Sequence, residues 1–180
     1  MQNQIRRFKM KILVLNGSPR ANGNTAAMVE AFKKGAEGKG NEVTVVEVAK
    51  KKIAGCLGCE YCHTKGEGAC IQKDDMQEVY PLLAEADAVV YASPIYYFTM
   101  TGQMQCAISR FYAPMKPAKA KKAALLLSSG SPGVYDAATA QFNVMTGFMG
   151  MEAVGIVTAN GDENKSEAKL AECEELGAKF

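Results

Sequence analysis

The chain has 180 residues, 48% hydrophobic and 22% charged, a globular balance that excludes a disordered segment. Lysine and arginine exceed aspartate and glutamate by 21 − 19 = 2, which leaves no charge footprint for nucleic acid or a membrane surface. A chain this long can fold on its own core, so its six cysteines are not needed as staples.

Residues 1–9 read as a loose extension in front of Met10-Lys11-Ile12, and residues 10–180 as one domain. Arg6, Arg7, Lys9 and Lys11 precede the apolar run Ile12-Leu13-Val14-Leu15, which is too short for the core of a signal peptide. The expected location is therefore cytoplasmic. In that reducing setting, cysteines point to metal or redox chemistry rather than structural disulfides.

In chain order, Ile12-Leu13-Val14-Leu15 reads as a strand buried on both faces, ended by Asn16-Gly17. After Asn24-Thr25 the apolar positions Met28, Val29, Phe32 and Ala36 take helical spacing. Residues 43–48 are a β-branched strand. Residues 50–73 have no period and read as an insert. A helix is expected over 75–85 through Met76, Val79, Leu82 and Leu83, with Asp74 and Asp75 as its caps. A strand over 88–92 is expected to stop at Ser93-Pro94, and Met104, Ile108 and Phe111 mark the next helix. A strand over 123–127, a helix over 136–149, a strand over 153–158 and a helix over 163–176 follow. Residues 88–109 carry no charge and are long enough to span a bilayer. However, Ser93-Pro94, Thr99, Thr101, Gly102-Gln103 and Gln105 would meet lipid, so no membrane span is expected. Five strands alternating with helices specify a parallel sheet with right-handed crossovers.

Gly17-Ser18-Pro19-Arg20-Ala21-Asn22-Gly23-Asn24-Thr25 falls between the first strand and the first helix, where an open α/β sheet binds anions. Hydroxyls, amides and one guanidinium suit a phosphate. The spacing is neither a Walker A loop nor Gly-x-Gly-x-x-Gly, and a plain turn with a helix cap uses the same residue types. Ser93-Pro94-Ile95-Tyr96-Tyr97-Phe98 ends the third strand at the same sheet edge. It can wall a flat aromatic ligand or pack as core. Ser128-Ser129-Gly130-Ser131-Pro132-Gly133 ends the fourth strand, with Ser129, Gly130 and Gly133 preferred over Tyr135 as contacts.

Cys56-x2-Cys59-x2-Cys62-x7-Cys70 places four thiols on the aperiodic insert. That set can surround a four-iron cubane, remain as free or disulfide-forming thiols, or hold zinc, which more often uses two separated Cys-x2-Cys pairs. The single histidine, His63, adjoins Cys62, while Cys106 and Cys173 fall at apolar helix positions and read as small buried hydrophobes. A cofactor-free signal-receiver module would need an acidic pocket at the strand ends, where this chain has Asn16, Ser18 and Arg20.

Val14-Leu15-Asn16-Gly17-Ser18-Pro19-Arg20 with Gly23-Asn24-Thr25 resembles the FMN-phosphate loop of the NAD(P)H-dependent FMN reductases, most nearly the iron–sulfur flavoprotein branch. The resemblance implies a flavodoxin-like three-layer α/β/α sandwich with a five-stranded parallel sheet of order 2-1-3-4-5. It implies that Ser18, Arg20, Asn22, Gly23, Asn24 and Thr25 hold the FMN phosphate. Pro94, Ile95, Tyr96, Tyr97 and Phe98 would line the flavin ring, with Ser129, Gly130 and Gly133 as the third wall. It further implies a [4Fe-4S] cluster on Cys56, Cys59, Cys62 and Cys70, and a homodimer or homotetramer. Two functions stay open. One is an oxidoreductase that takes a hydride from NAD(P)H and passes electrons to a small-molecule acceptor such as a quinone. The other is an electron carrier that accepts single electrons from a ferredoxin through the cluster. Neither reading needs an acid–base triad, because the flavin carries the chemistry.

Overall fold

The computed structural model describes residues 10–180, and the extension expected at 1–9 lies outside the described residues. Strands β1 (Lys11–Asn16), β2 (Glu42–Val46), β3 (Ala88–Tyr96), β5 (Lys122–Ser129) and β6 (Glu152–Asn160) form a parallel sheet in the order β2-β1-β3-β5-β6. Counting only these strands, this is the expected 2-1-3-4-5 order. The added strand is β4 (Thr99–Met100), which pairs antiparallel with the end of β3.

The layers follow from alternation along the strands. Ile12 and Val14 of β1 face α1 (Asn24–Gly38) and α6 (Glu167–Gly177), together with Phe32, Val90 and Leu126. Leu13 and Leu15 face the opposite layer, built from α3 (Met76–Glu85), α4 (Gly102–Ser109) and α5 (Asp136–Met149). Phe32 and Phe142 are fully buried, one in each layer, and each contributes about 1.5–3 kcal/mol of burial free energy. α1 and α6 touch backbone to backbone: a Cβ on Gly35 would run into the Glu174 carbonyl, and one on Gly177 into that of Phe32.

Ser93-Pro94 does not end the third strand. β3 runs on to Tyr96, with Ser93 opposite Leu127 and Pro94 opposite Ser128. The Ala92 carbonyl points toward β1, where it accepts from the Gly17 N–H, and Pro94, two residues on, points the same way. There β1 has already ended at Asn16, so the missing proline N–H forfeits no ladder bond. The last helix starts at Glu167 instead of 163, because residues 161–165 form a 3-10 turn ahead of the Ser166 cap, whose hydroxyl accepts from the Lys169 N–H. The uncharged stretch 88–109 resolves into β3, β4 and α4, and among the described residues no helix is long and apolar enough to cross a membrane.

Candidate functional site

The first loop is fixed by the strands beside it. The Gly17 N–H donates to the Ala92 carbonyl (2.8 Å), and the Gly17 carbonyl accepts from Thr101 Oγ1 (2.8 Å). A Cβ at this position would stand 2.9 Å from both Met104 Cβ and Thr101 Oγ1, so the close approach of the loop to α4 requires glycine. The buried Ser18 donates its N–H to Asn16 Oδ1 (3.0 Å), and Asn16 Nδ2 donates to Glu47 Oε1 (3.1 Å). Gly23 then enters α1 in an extended conformation and offers no side-chain cap. The first-turn N–H groups at Asn24, Thr25 and Ala26 therefore face outward at the positive end of a 15-residue helix. Thr25 Oγ1 meets Ser128 Oγ at 2.8 Å, which ties the first loop to the loop after β5.

These loops converge on one cavity of about 240 Å³. Ser18, Arg20, Gly23, Asn24 and Thr25 line it from the first loop, and Pro94, Ile95 and Tyr96 from the end of β3. The end of β5 contributes Ser128, Ser129 and Gly130. The remaining sequence-predicted residues stand apart from this lining. Asn22 faces a neighbouring cavity of about 460 Å³ with Asn16, Glu47 and Lys165, and its carbonyl accepts from Lys165 Nζ (3.1 Å). Tyr97 and Phe98 form the tip of the two-residue turn between β3 and β4, 94% and 59% exposed, with φ of +49° and +69°. A two-residue hairpin of this kind demands positive φ at both positions, and bulky side chains there cost of order 1–3 kcal/mol each. Gly133, exposed and at φ +73°, also lies outside the lining.

Sequence reasoning included Ser128 in the third wall without preferring it as a contact, and it missed Gly161 and Asn164. Asn164 is buried, and its Nδ2 donates to the carbonyls of Ser129 and Gly161, both at 2.8 Å. Its Oδ1 is buried beside the cavity with no protein donor. The Tyr135 hydroxyl is engaged within the wall, with Ser129 Oγ (2.6 Å) and the Ala159 carbonyl (2.9 Å). Nothing in the sequence marks Asn164, because it reaches the site from the turn after β6, remote in the chain from all three predicted loops.

The cysteines lie on a mostly irregular segment between β2 and α3, interrupted by the short helix α2 (Tyr61–Thr64). Cys56 and Cys59 are exposed, Cys70 is half-buried and Cys62 is buried. Burial pushes the Cys62 thiol up. Burial also pushes Cys70 up, but hydrogen bonding from the Gln72 backbone and the nearby positive charge of Arg110 outweigh it, and the net displacement is downward. Among the described residues no three His, Cys, Asp or Glu side chains stand together as a metal-binding group, so the loop does not gather its thiols in advance. The donor set itself fits a four-iron cubane: four cysteines on one loop.

Residues 109–112 form the floor of this loop. Ser109 Oγ accepts the Cys56 N–H (3.0 Å), and Tyr112 donates its hydroxyl to Glu60 Oε1 (2.9 Å). His63 Nε2 bonds the Tyr112 carbonyl (2.9 Å), and the two rings meet edge-on at 4.7 Å, which turns the histidine to Tyr112. The expected pair of helix caps is half right. Asp74 Oδ1 does accept the Met76 N–H (3.2 Å), but Asp75 makes no cap bond and instead accepts from the Lys52 N–H (2.7 Å). Both carboxylates have loop backbone groups to satisfy, and those close the segment. Cys173 is buried as expected, its thiol pushed up to about 12 by burial. Cys106 is only half-buried, bordering the loop at Gly55. α4 joins the two regions: Thr101 at its start holds the first loop, and Ser109 at its end holds the cysteine segment.

The model of the family described as NADPH-dependent FMN reductase matches residues 10–164. Over 101 residues the chain is 46% identical to an iron-sulfur flavoprotein of Archaeoglobus fulgidus, a match covering 56% of this chain and 45% of that protein. An iron-sulfur flavoprotein of Methanocaldococcus jannaschii is 45% identical over 101 residues, 56% of this chain and 50% of that one. The chain thus spans about half the length of the curated relatives it matches. In three dimensions it resembles the NAD(P)H:quinone oxidoreductase from Methanothermobacter marburgensis, with a TM-score of 0.74, 18% identity and 96% coverage of both chains, a likeness of fold. With the family match extending over most of its length, the chain belongs to the NADPH-dependent FMN reductase family.

Proposed function

We propose that FMN occupies the three-loop cavity and that the chain acts as a flavin-dependent oxidoreductase. One arrangement carries the reading: the uncapped start of α1, the end of β3 and the end of β5 line a single cavity. The unpartnered Asn164 Oδ1 beside it is an acceptor that a bound ligand's N–H or O–H can satisfy. The flavin, when bound, supplies hydride and single-electron transfer, so the protein contributes position and surroundings. The N–H groups at Asn24, Thr25 and Ala26, the hydroxyls of Ser18 and Thr25 and the Arg20 guanidinium would hold the phosphate. Pro94, Ile95 and Tyr96 would wall the ring on one side, with Tyr97 and Phe98 at the exposed tip beside them. Ser129, Gly130 and Asn164 would supply polar contacts from the other side. NAD(P)H is the proposed electron donor, and the acceptor a small oxidisable molecule such as a quinone.

The cysteine loop and the two iron-sulfur flavoprotein relatives favour a second reading of the same molecule. There Cys56, Cys59, Cys62 and Cys70 hold a [4Fe-4S] cluster, and a redox protein such as a ferredoxin supplies single electrons. The test of the cavity is a fluorescence titration of the protein with FMN and with riboflavin. Tight FMN binding, with riboflavin at least about a hundredfold weaker, is the expected result for a site built on the phosphate. Equal binding of the two would remove the first loop from the site. Iron and sulfide per flavin, together with turnover on NAD(P)H, separate the two readings.

A further inference from the structure

Arg110 sits at the end of α4 beneath the cysteine loop and is 1% exposed. Its Nη1 donates to Asp74 Oδ2 (2.6 Å) and to the Ala54 carbonyl (3.0 Å). These are the two ends of the segment that carries all four loop cysteines. Asp74 Oδ2 also accepts the Ala54 N–H (3.0 Å), so one ion pair closes the segment. The remaining guanidinium donors, Nε and Nη2, are buried and have no hydrogen-bond partner. A charged group this deep is costly when its donors go unmet.

Two side chains lie within the guanidinium's reach. Tyr80 donates its hydroxyl to the Arg110 carbonyl (3.2 Å), and burial keeps the phenol protonated and a neutral acceptor. The other is Cys70, whose thiol feels the guanidinium charge and whose carbonyl accepts from Gln77 Nε2 (3.3 Å). A protonated thiol is a weak acceptor, whereas a metal-bound thiolate or inorganic sulfide is a strong one. The unmatched donors therefore fit a loop whose Cys70 corner carries anionic sulfur.

We propose that Arg110 is a positioning residue of the iron–sulfur site, closing the two ends of the cysteine loop and giving its free N–H groups to the sulfur at the Cys70 corner. The proposal rests on the cluster reading above. Because hydrogen bonds to cluster sulfur help set the reduction potential, Arg110 also tunes the electron energy at that corner.

The test compares wild type, Arg110→Lys and Arg110→Met, each loaded anaerobically with iron and sulfide. Iron, sulfide and FMN per chain are measured, and the cluster potential is followed by electron paramagnetic resonance. Arg110→Met is expected to lose most of its iron while keeping its FMN. Arg110→Lys keeps the charge but not the planar fork, so it should retain iron and FMN with a cluster potential shifted negative. A loaded Arg110→Lys with the wild-type potential overturns the proposal, whether or not Arg110→Met folds. Wild type that binds no iron overturns the cluster reading and this proposal with it.

Discussion

Between residues 17 and 25 the chain is held by the sheet: Gly17 bonds β3, Ser18 bonds the Asn16 side chain, and Thr25 reaches across to Ser128. Between residues 54 and 74 the holding groups are side chains of a distant turn, chiefly Ser109, Arg110 and Tyr112. The first region leaves helix N–H groups at the rim of a formed cavity. The second is tied at its ends, while its thiols range from exposed to buried and do not converge. A site whose ligands are backbone groups can be finished by folding alone. A site whose ligands are thiolates is completed by the metal, because the metal both deprotonates the ligands and draws them together.

That contrast predicts independent failure of the two regions. The largest effect is expected from Cys59→Ser, which should abolish iron incorporation and leave FMN content unchanged, as read by metal analysis and flavin release. Loss of both cofactors in that variant would break the separation. Arg20→Ala should weaken FMN binding by about 1.5–3 kcal/mol, the range for losing a charge-assisted hydrogen bond, with iron content untouched. Fluorescence titration measures the first and metal analysis the second.

A smaller effect belongs to Asn164→Ala. It removes the bridge between the Ser129 and Gly161 carbonyls and should reduce both folding stability and FMN affinity by about 1–2 kcal/mol. Thermal unfolding with and without FMN measures both. The smallest effect near neutrality is that of pH on the cysteine loop. Burial alone would raise the Asp74 carboxyl, but bonds from Arg110 and from the Ala54 and Met76 backbone hold it below its ordinary value. Its folded value is thus lower than its unfolded one. The clamp therefore contributes fully above the ordinary carboxylate value of about 3.9 and is lost as pH falls through the lower folded value. Hydrogen exchange over residues 54–74 should be flat from neutrality to about pH 5, apart from the intrinsic exchange rate, and should rise only below about pH 4.

The sheet was legible because β1, β3 and β5 are continuous apolar runs bounded by turn residues, which fits strands covered on both faces. The first loop was legible from its place between a strand and a helix as much as from its composition. Pro94 misled, since proline is a strand stop only where the ladder still needs its N–H, and here β1 has already ended. Asn164 and Arg110 gave no sequence signal for a shared reason. Each acts across a long stretch of chain, Asn164 on Ser129 and Arg110 on Ala54, and a single polar residue at such a separation has no spacing to read. The cysteine spacing was plain, but it left a cluster, zinc and free thiols all open, and it does not say whether the loop holds its thiols together beforehand.

The proposed reading puts a flavin at the sheet edge, and its second form adds an iron–sulfur cluster on the cysteine loop. The most direct measurement is the visible absorption spectrum of the protein purified without oxygen, before and after dithionite. The expected spectrum has two flavin bands on a broad brown shoulder, all bleaching on reduction. Flavin bands without the shoulder would contradict the cluster, and a colourless protein that stays colourless after FMN is added would contradict the account as a whole.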